Sequence, residues 1–154
     1  MAKPPSSEWA KIDLLRALLE GPRDPRVRLG IGDDAAVLPA PAGELVWTVD
    51  TSVEGVHFRR DLLTMGDIGY RATMAAASDL AAMGASPLGL LAALILPRDF
   101  ADDDLAALAR GQRDAADALG TALIGGNLAR GGELSLSTAA LGVAARALAR
   151  AGAQ

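Results

Sequence analysis

Apolar residues recur along this chain with two different periods, and the switches between them mark its elements. Across residues 8–20, Ile12, Leu15 and Leu19 fall on one helical face with Trp9 nearby, and Ser6 and Ser7 stand where a cap belongs. Gly21 and Pro22 end that helix, and the charged, proline-broken stretch 22–29 reads as a loop. Residues 35–38 are a short strand candidate closed by PAPAG. The stretch 44–58, ELVWTVDTSVEGVHF, alternates as a strand. Leu45, Trp47 and Val49 share one face of it, and Val46, Thr48 and Asp50 the other. Thr48 and Asp50 therefore sit about 7 Å apart on one side. Gly55 marks a bulge or turn before His57 and Phe58.

Residues 65–83 are apolar or small almost all round, the pattern of a buried helix, and Gly84 stops it. A buried strand over 88–96 ends at Pro97. Residues 102–119 form an amphipathic helix with Leu105, Leu108 and Ala115 inward and Asp103, Arg110 and Arg113 outward. A short strand over 121–124 leads into a turn at Gly125-Gly126-Asn127, and 133–142 alternates again. No internal repeat is visible. The order predicts one α+β domain with a mixed sheet packed by helices.

Composition narrows what fills that frame. The chain has 154 residues, enough for a single core, and is 51% hydrophobic but only 3% aromatic. The core must be Ala, Leu and Val in closely packed elements. The absence of cysteine excludes disulfides, thiolate zinc sites and a cysteine nucleophile, and suits a reducing cytoplasm, the expected location. The lone His57 excludes a multi-histidine metal site. A net charge of −4 argues against a nucleic-acid partner, which needs clustered Lys and Arg. The N-terminal MAKPPSSEWAK lacks a signal peptide's apolar stretch, and the uncharged runs are too short or too broken to span, so no membrane partner is expected.

Four places carry candidate chemistry. In GIGDDAAVL, residues 30–38, Asp33 and Asp34 repel one another with no basic residue nearer than Arg28. Such a pair marks either a solvated turn or a site for a positive ion. Asp79 stands in the apolar helix, where an unpaired carboxylate costs several kcal/mol unless it meets a cation or a solvated gap. Asp50 ends a hydrophobic strand, either as a turn starter or, with the Thr48 hydroxyl, as an oxygen ligand. Oxygen-rich, sulfur-free sets suit Mg²⁺ rather than zinc. Gly125-Gly126-Asn127 lets a phosphate approach the backbone, or is a plain turn. There is no Walker A motif, no third glycine after "GIG" and no nucleophile elbow. His57 reads as a structural hydrogen bonder or a substrate contact.

Four stretches occur in order: GIGDDAAVL, TVDTSVEGVHF, DIGYRATMAAASDLAAMGASP and LIGGNLARGGELSLSTAALG. Together they resemble the N-terminal domain of thiamine-monophosphate kinase, in the superfamily of aminoimidazole ribonucleotide synthetase, selenophosphate synthetase and HypE. The resemblance spans about residues 7–153, and its SDLAAMGA and VEGVHF elements are its specific part. It implies ATP-dependent phosphorylation of thiamine monophosphate to thiamine diphosphate by in-line transfer, with several Mg²⁺ ions and a sheet-mediated homodimer. Matched residue by residue, it implies metal ligands at Asp34, Thr48, Val49, Asp50, Asp79 and Asn127. It implies a substrate contact at His57 and ATP contacts at Gly126, Asn127 and Arg150. Asp33 takes a supporting role.

Two departures stand out. Asn127 replaces the aspartate usual after the two glycines, which removes a charge and predicts weaker Mg²⁺ binding there. Val49 stands where Thr is often found, and could coordinate only through its carbonyl. Family members are also about twice this long. The resemblance therefore implies that this is an N-terminal domain without its C-terminal partner, inactive alone. Two alternatives remain: another ATP-dependent member of the superfamily, like selenophosphate synthetase or HypE, or a non-catalytic dimerisation module.

Overall fold

The alternating segments pair into one four-stranded sheet. In the computed structural model, which describes residues 7–19 and 25–149, the strands are β1 (Glu44–Val53), β2 (Ser86–Leu96), β3 (Leu123–Arg130) and β4 (Ser135–Ala144). They hydrogen-bond in the order β1-β4-β2-β3. β4 runs antiparallel to both β1 and β2, and β3 runs parallel to β2. A parallel neighbour demands a long crossover, and the helix α3 (Asp102–Ala118) supplies it. With α1 (Glu8–Leu19) and α2 (Met65–Ala82), it covers one face of the sheet.

That covered face is the core. Leu90, Leu94, Leu136 and Ala140 of the sheet pack against Ile68, Ala76, Leu80, Leu105 and Leu108 of the helices. With few aromatic residues available, volume is filled by bringing backbones together. A Cβ on Gly111 would lie 2.0 Å from the Gly66 carbonyl oxygen, so α2 and α3 touch main chain to main chain. A capping box starts α2. The Thr64 hydroxyl accepts from the Asp67 N–H at 3.1 Å, and the Asp67 carboxylate accepts from the Thr64 N–H at 3.2 Å.

The opposite face of the sheet is open. Leu45, Trp47 and Val49 are 60%, 73% and 66% exposed, while Val46, from the alternate set, is buried. The two faces of β1 therefore fall as the alternation predicts.

Several expectations are corrected. Residues 35–38 form no strand: the loop folds back on itself through the isolated bridges Leu29↔Val37 and Ile31↔Asp33, because Gly30, Gly32 and the two aspartates interrupt any ladder. β1 stops at Val53, since Gly55 at φ +78° turns the chain and Glu54 bridges Phe58. The helix α2 is not buried all round; Tyr70, Arg71, Ser78, Asp79 and Ala81 are exposed, and its many alanines leave little apolar area on that side. Lys11 of α1 is buried, where it pairs with Asp102 and the Phe100 carbonyl and ties α1 to the start of α3. Gly125-Gly126-Asn127 is not a turn but the middle of β3, paired with Leu91, Ala92 and Ala93.

Candidate functional site

The sheet order decides which candidate residues can meet. β1 and β3 are the two edges. Register carries one row across all four strands on the helix side: Asp50, Thr138, Ala92 and Gly126. A second row on the open side reads Thr51, Ser137, Ala93 and Asn127. Three strand spacings of about 4.8 Å put the ends of each row about 14 Å apart. The sequence-predicted residues thus divide into two groups.

At the β1 edge, the Thr48 hydroxyl donates to the Asp79 carboxylate at 2.7 Å. Asp79 is exposed, so the desolvation argument for a cation beside it does not apply, and it has the solvated setting that was the alternative. Asp50 is also exposed and accepts from the Thr51 N–H at 2.8 Å. Val49 projects from the other face. His57 closes the turn after β1. Its Nδ1 accepts from the Val53 N–H at 3.1 Å, which in the neutral ring leaves Nε2–H as the outward donor.

At the β3 edge, Asp33, Asp34, Gly125, Gly126 and Asn127 line two cavities, one on each side of the sheet. The cavity on the helix side holds about 440 Å³ and is walled by Ile12, Leu15 and Leu94. The one on the open side holds about 550 Å³ and is bordered by Trp47 and Val49. The Asp33 carboxylate accepts from the Asp34 N–H at 2.8 Å, so Asp33 braces the loop while Asp34 is left to face outward contacts. The strand is glycine here because its backbone closes on β2: a Cβ on Gly126 would sit 1.9 Å from the Ala92 carbonyl oxygen. The guanidinium of Arg16, from α1, lies against Gly32 in the loop that carries the acidic pair.

Among the described residues, no three or more Asp, Glu or His side chains gather closely enough to hold a metal ion by themselves. Asp34 and Asn127 share cavities, as do Val49 and Asn127, and Asp50 and Asp79 line neither cavity. Arg150 lies outside the described residues, as does Ser6. Asp67 is held below its ordinary 3.8 by hydrogen bonds from the Thr64 hydroxyl and backbone, and it belongs to the helix cap rather than to either group.

Sequence reasoning missed Gln112. It is fully buried, it lines the helix-side cavity, and neither amide atom has a hydrogen-bond partner among the described residues. A signal was present. Leu105, Leu108, Ala109, Ala115 and Ala116 mark the inward face of α3, and position 112 falls on it at helical spacing.

The AIR synthase related protein family, by its N-terminal domain, matches residues 32–144. The chain belongs to this family. It is 44% identical over 112 residues to a thiamine-monophosphate kinase of Synechococcus elongatus, covering 72% of this chain and 34% of that protein. With the thiamine-monophosphate kinase of Escherichia coli it shares 40% identity over 131 residues, 83% of this chain and 39% of that one. Among solved structures, the thiamine-monophosphate kinase of Stenotrophomonas maltophilia superposes with a TM-score of 0.77 at 43% identity, covering 94% of this chain and 45% of that one. AaThiL complexed with AMPPCP and TMP superposes with a TM-score of 0.71 at 29% identity, covering 96% and 45%. The hydrogenase maturation protein HypE, at 23% identity and a TM-score of 0.71, shares the fold. The chain spans less than half the length of these relatives. As in other family members, the mixed sheet and its helices form an α+β domain. Among the described residues, no helix is long and apolar enough to cross a membrane.

Proposed function

We propose that this domain binds ATP with Mg²⁺ and serves in the ATP-dependent phosphorylation of thiamine monophosphate to thiamine diphosphate. The observation that carries the reading is the β3 edge, where Asp34 shares two cavities with the glycine-rich stretch Gly125–Asn127. Glycine lets phosphates approach main chain closely, and a carboxylate beside a phosphate site needs a cation between the like charges. The names of the relatives, and the AMPPCP and TMP in AaThiL, support the choice of nucleotide and acceptor.

The donor set fits Mg²⁺ in one manner only. The candidate ligands offer oxygen, from side chains or, at Val49, from the backbone carbonyl, and none offers sulfur, but among the described residues they form no all-protein cage. Mg²⁺ keeps water and is bound through one or two carboxylates plus phosphate oxygens, which such a dispersed set allows. Asp34 with Asn127 would hold it at one edge, and Thr48, Asp50 and Asp79 at the other, with Val49 contributing its carbonyl. Bound there, Mg²⁺ would neutralise charge on the phosphate chain. The chain's own part is positioning: the glycine stretch and Arg150 orient ATP, and His57 presents Nε2–H to the phosphate of the acceptor. The open sheet face buries against a second copy in a homodimer.

Titration of this 154-residue chain with AMPPCP and Mg²⁺ tests the reading. We expect weak binding that Asp34→Ala lowers at least tenfold, with little or no turnover of thiamine monophosphate by the chain alone. No heat at millimolar ligand would leave only the dimerisation module. Turnover at ordinary enzyme rates would overturn the division of labour between this domain and the remainder of a longer enzyme.

A further inference from the structure

The carboxyl ends of the parallel strands β2 and β3 meet the start of α1 at a small cavity of about 30 Å³. None of the candidate site residues lines it. Its charged groups are Glu8 and Lys11 of α1, Arg98 just past the end of β2, and Arg130 at the end of β3. Three cations thus gather against one carboxylate. Among the described residues, the side chains of Arg98 and Arg130 have neither an ion pair nor a hydrogen bond. Lys11 is 7% exposed and uses two N–H donors, on Asp102 and on the Phe100 carbonyl, which leaves a third.

Both arginines stand on backbone that is already fixed. Arg98 follows Pro97 in a turn closed by the Phe100 N–H on the Pro97 carbonyl at 3.2 Å. Lys11 holds the far end of that turn through the Phe100 carbonyl at 3.3 Å. Arg130 stands opposite Leu96 in the parallel register, on the helix side of the sheet, and the Gly131 N–H donates to the Leu96 carbonyl at 3.0 Å. Like charges held together in this way repel one another and draw an anion. α1 begins at Glu8, so the positive end of its dipole lies at the same place.

We propose that this cavity is a binding site for a phosphate-sized oxyanion, with Arg98 and Arg130 as its ligands, Lys11 as the buried cation behind them and Glu8 as a carboxylate that limits its affinity. A guanidinium fork matches the paired oxygens of phosphate. The volume admits roughly two water-sized groups, enough for one small tetrahedral anion. The site needs no metal and shares no residue with the Mg²⁺ and nucleotide assignment above, so it stands apart from it. The anion is either free phosphate or the phosphate of a larger ligand reaching along the helix-side cavity, with which this one shares Glu8 and Leu128.

Titration of the ¹⁵N-labelled chain with inorganic phosphate, at constant ionic strength and without Mg²⁺, tests the proposal through the arginine Nε–H resonances. The expected result is saturable millimolar binding in which the Arg98 and Arg130 resonances shift together, while chloride leaves them in place. Arg98→Gln and Arg130→Gln should each weaken phosphate about tenfold or more, and Glu8→Gln should tighten it. Both arginines are exposed, so without phosphate the variants should melt with wild type. Phosphate should then raise the melting temperature of wild type more than that of either variant, since its general stabilising effect is common to all three. Addition of AMPPCP to the phosphate-saturated chain separates the two sources. Displacement of phosphate from these resonances assigns the site to the phosphate of a larger ligand, and simultaneous binding assigns it to free phosphate. No saturation by about 20 mM phosphate, or equal affinity in wild type and both variants, overturns the proposal whatever the Mg²⁺ and nucleotide titration shows.

Discussion

The hydroxyl of Thr48, on the edge strand β1, donates a 2.7 Å hydrogen bond to the carboxylate of Asp79, on α2. The bond joins residues 31 apart in sequence and fixes the helix against the strand edge. Its acceptor is charged but solvated, so its worth is at the low end for a charge-assisted bond, about 0.5–1 kcal/mol.

Thr48→Val should therefore lower the melting temperature by about 2–4 °C while keeping the β-branched shape the strand prefers. Asp79→Ala should cost a similar amount, and the double variant little more than either. Thermal denaturation of the four proteins forms the cycle. Fully additive losses would mean that the two side chains do not couple.

Gly125 and Gly126 differ in what surrounds them, and substitution should separate them. An alanine Cβ at 126 meets the Ala92 carbonyl oxygen at 1.9 Å, a main-chain atom in a paired strand that cannot step aside. At 125 the nearest atom is a Leu91 methyl at 3.1 Å, the far end of a side chain on the open face. Gly126→Ala should cost about 3 kcal/mol or more and disrupt the β2–β3 pairing, whereas Gly125→Ala should stay within about 1 kcal/mol of wild type. Denaturant titration reads both, and equal effects would contradict the described packing.

Much of this was legible in the sequence, and the exceptions share a cause. The three helices and the faces of β1 followed from spacing, because periodicity reports which side of an element is buried. The aspartates were flagged as anomalies, and Thr48 and Asp79 do meet. Strand order is what spacing could not show. Whether Asn127 and Asp50 lie together depends on β4 and β2 standing between β1 and β3, and no local pattern encodes that. The Gly-Gly-Asn stretch was misread for the same reason. Its glycines serve a close approach to a strand some 35 residues earlier in the chain, not a local turn.

The capping box of α2 gives the fold an acid-sensitive contact. Hydrogen bonds from the Thr64 hydroxyl and N–H hold the Asp67 carboxyl below its ordinary 3.8. A depressed folded value means that ionised Asp67 stabilises the native state above the unfolded value, and that this contribution is lost as pH falls through the folded one. Asp67→Asn should lower stability near neutrality and flatten its decline below pH 4 relative to wild type. Melting temperatures of both proteins from pH 7 to pH 3 check it; parallel curves would mean that the cap does not titrate with folding.

The open sheet face sets the last expectation. Trp47 is 73% exposed, Leu45 and Val49 are 60% and 66% exposed, and all three stand on the same side of β1. Beside them on β4 lie Leu141, Val143 and Ala139, only half buried. A contiguous apolar surface of this kind marks an association site, and a stable pair needs about 800 Å² covered on each partner. A two-fold axis through such a face would set each β1 stripe against the other sheet. Sedimentation should therefore find a dimer at micromolar concentration. Trp47→Asp should convert it to monomer with an unchanged far-UV spectrum, because the side chain contributes nothing to the helix-side core. A wild-type chain that remains monomeric at hundreds of micromolar would show that the face is covered in some other way.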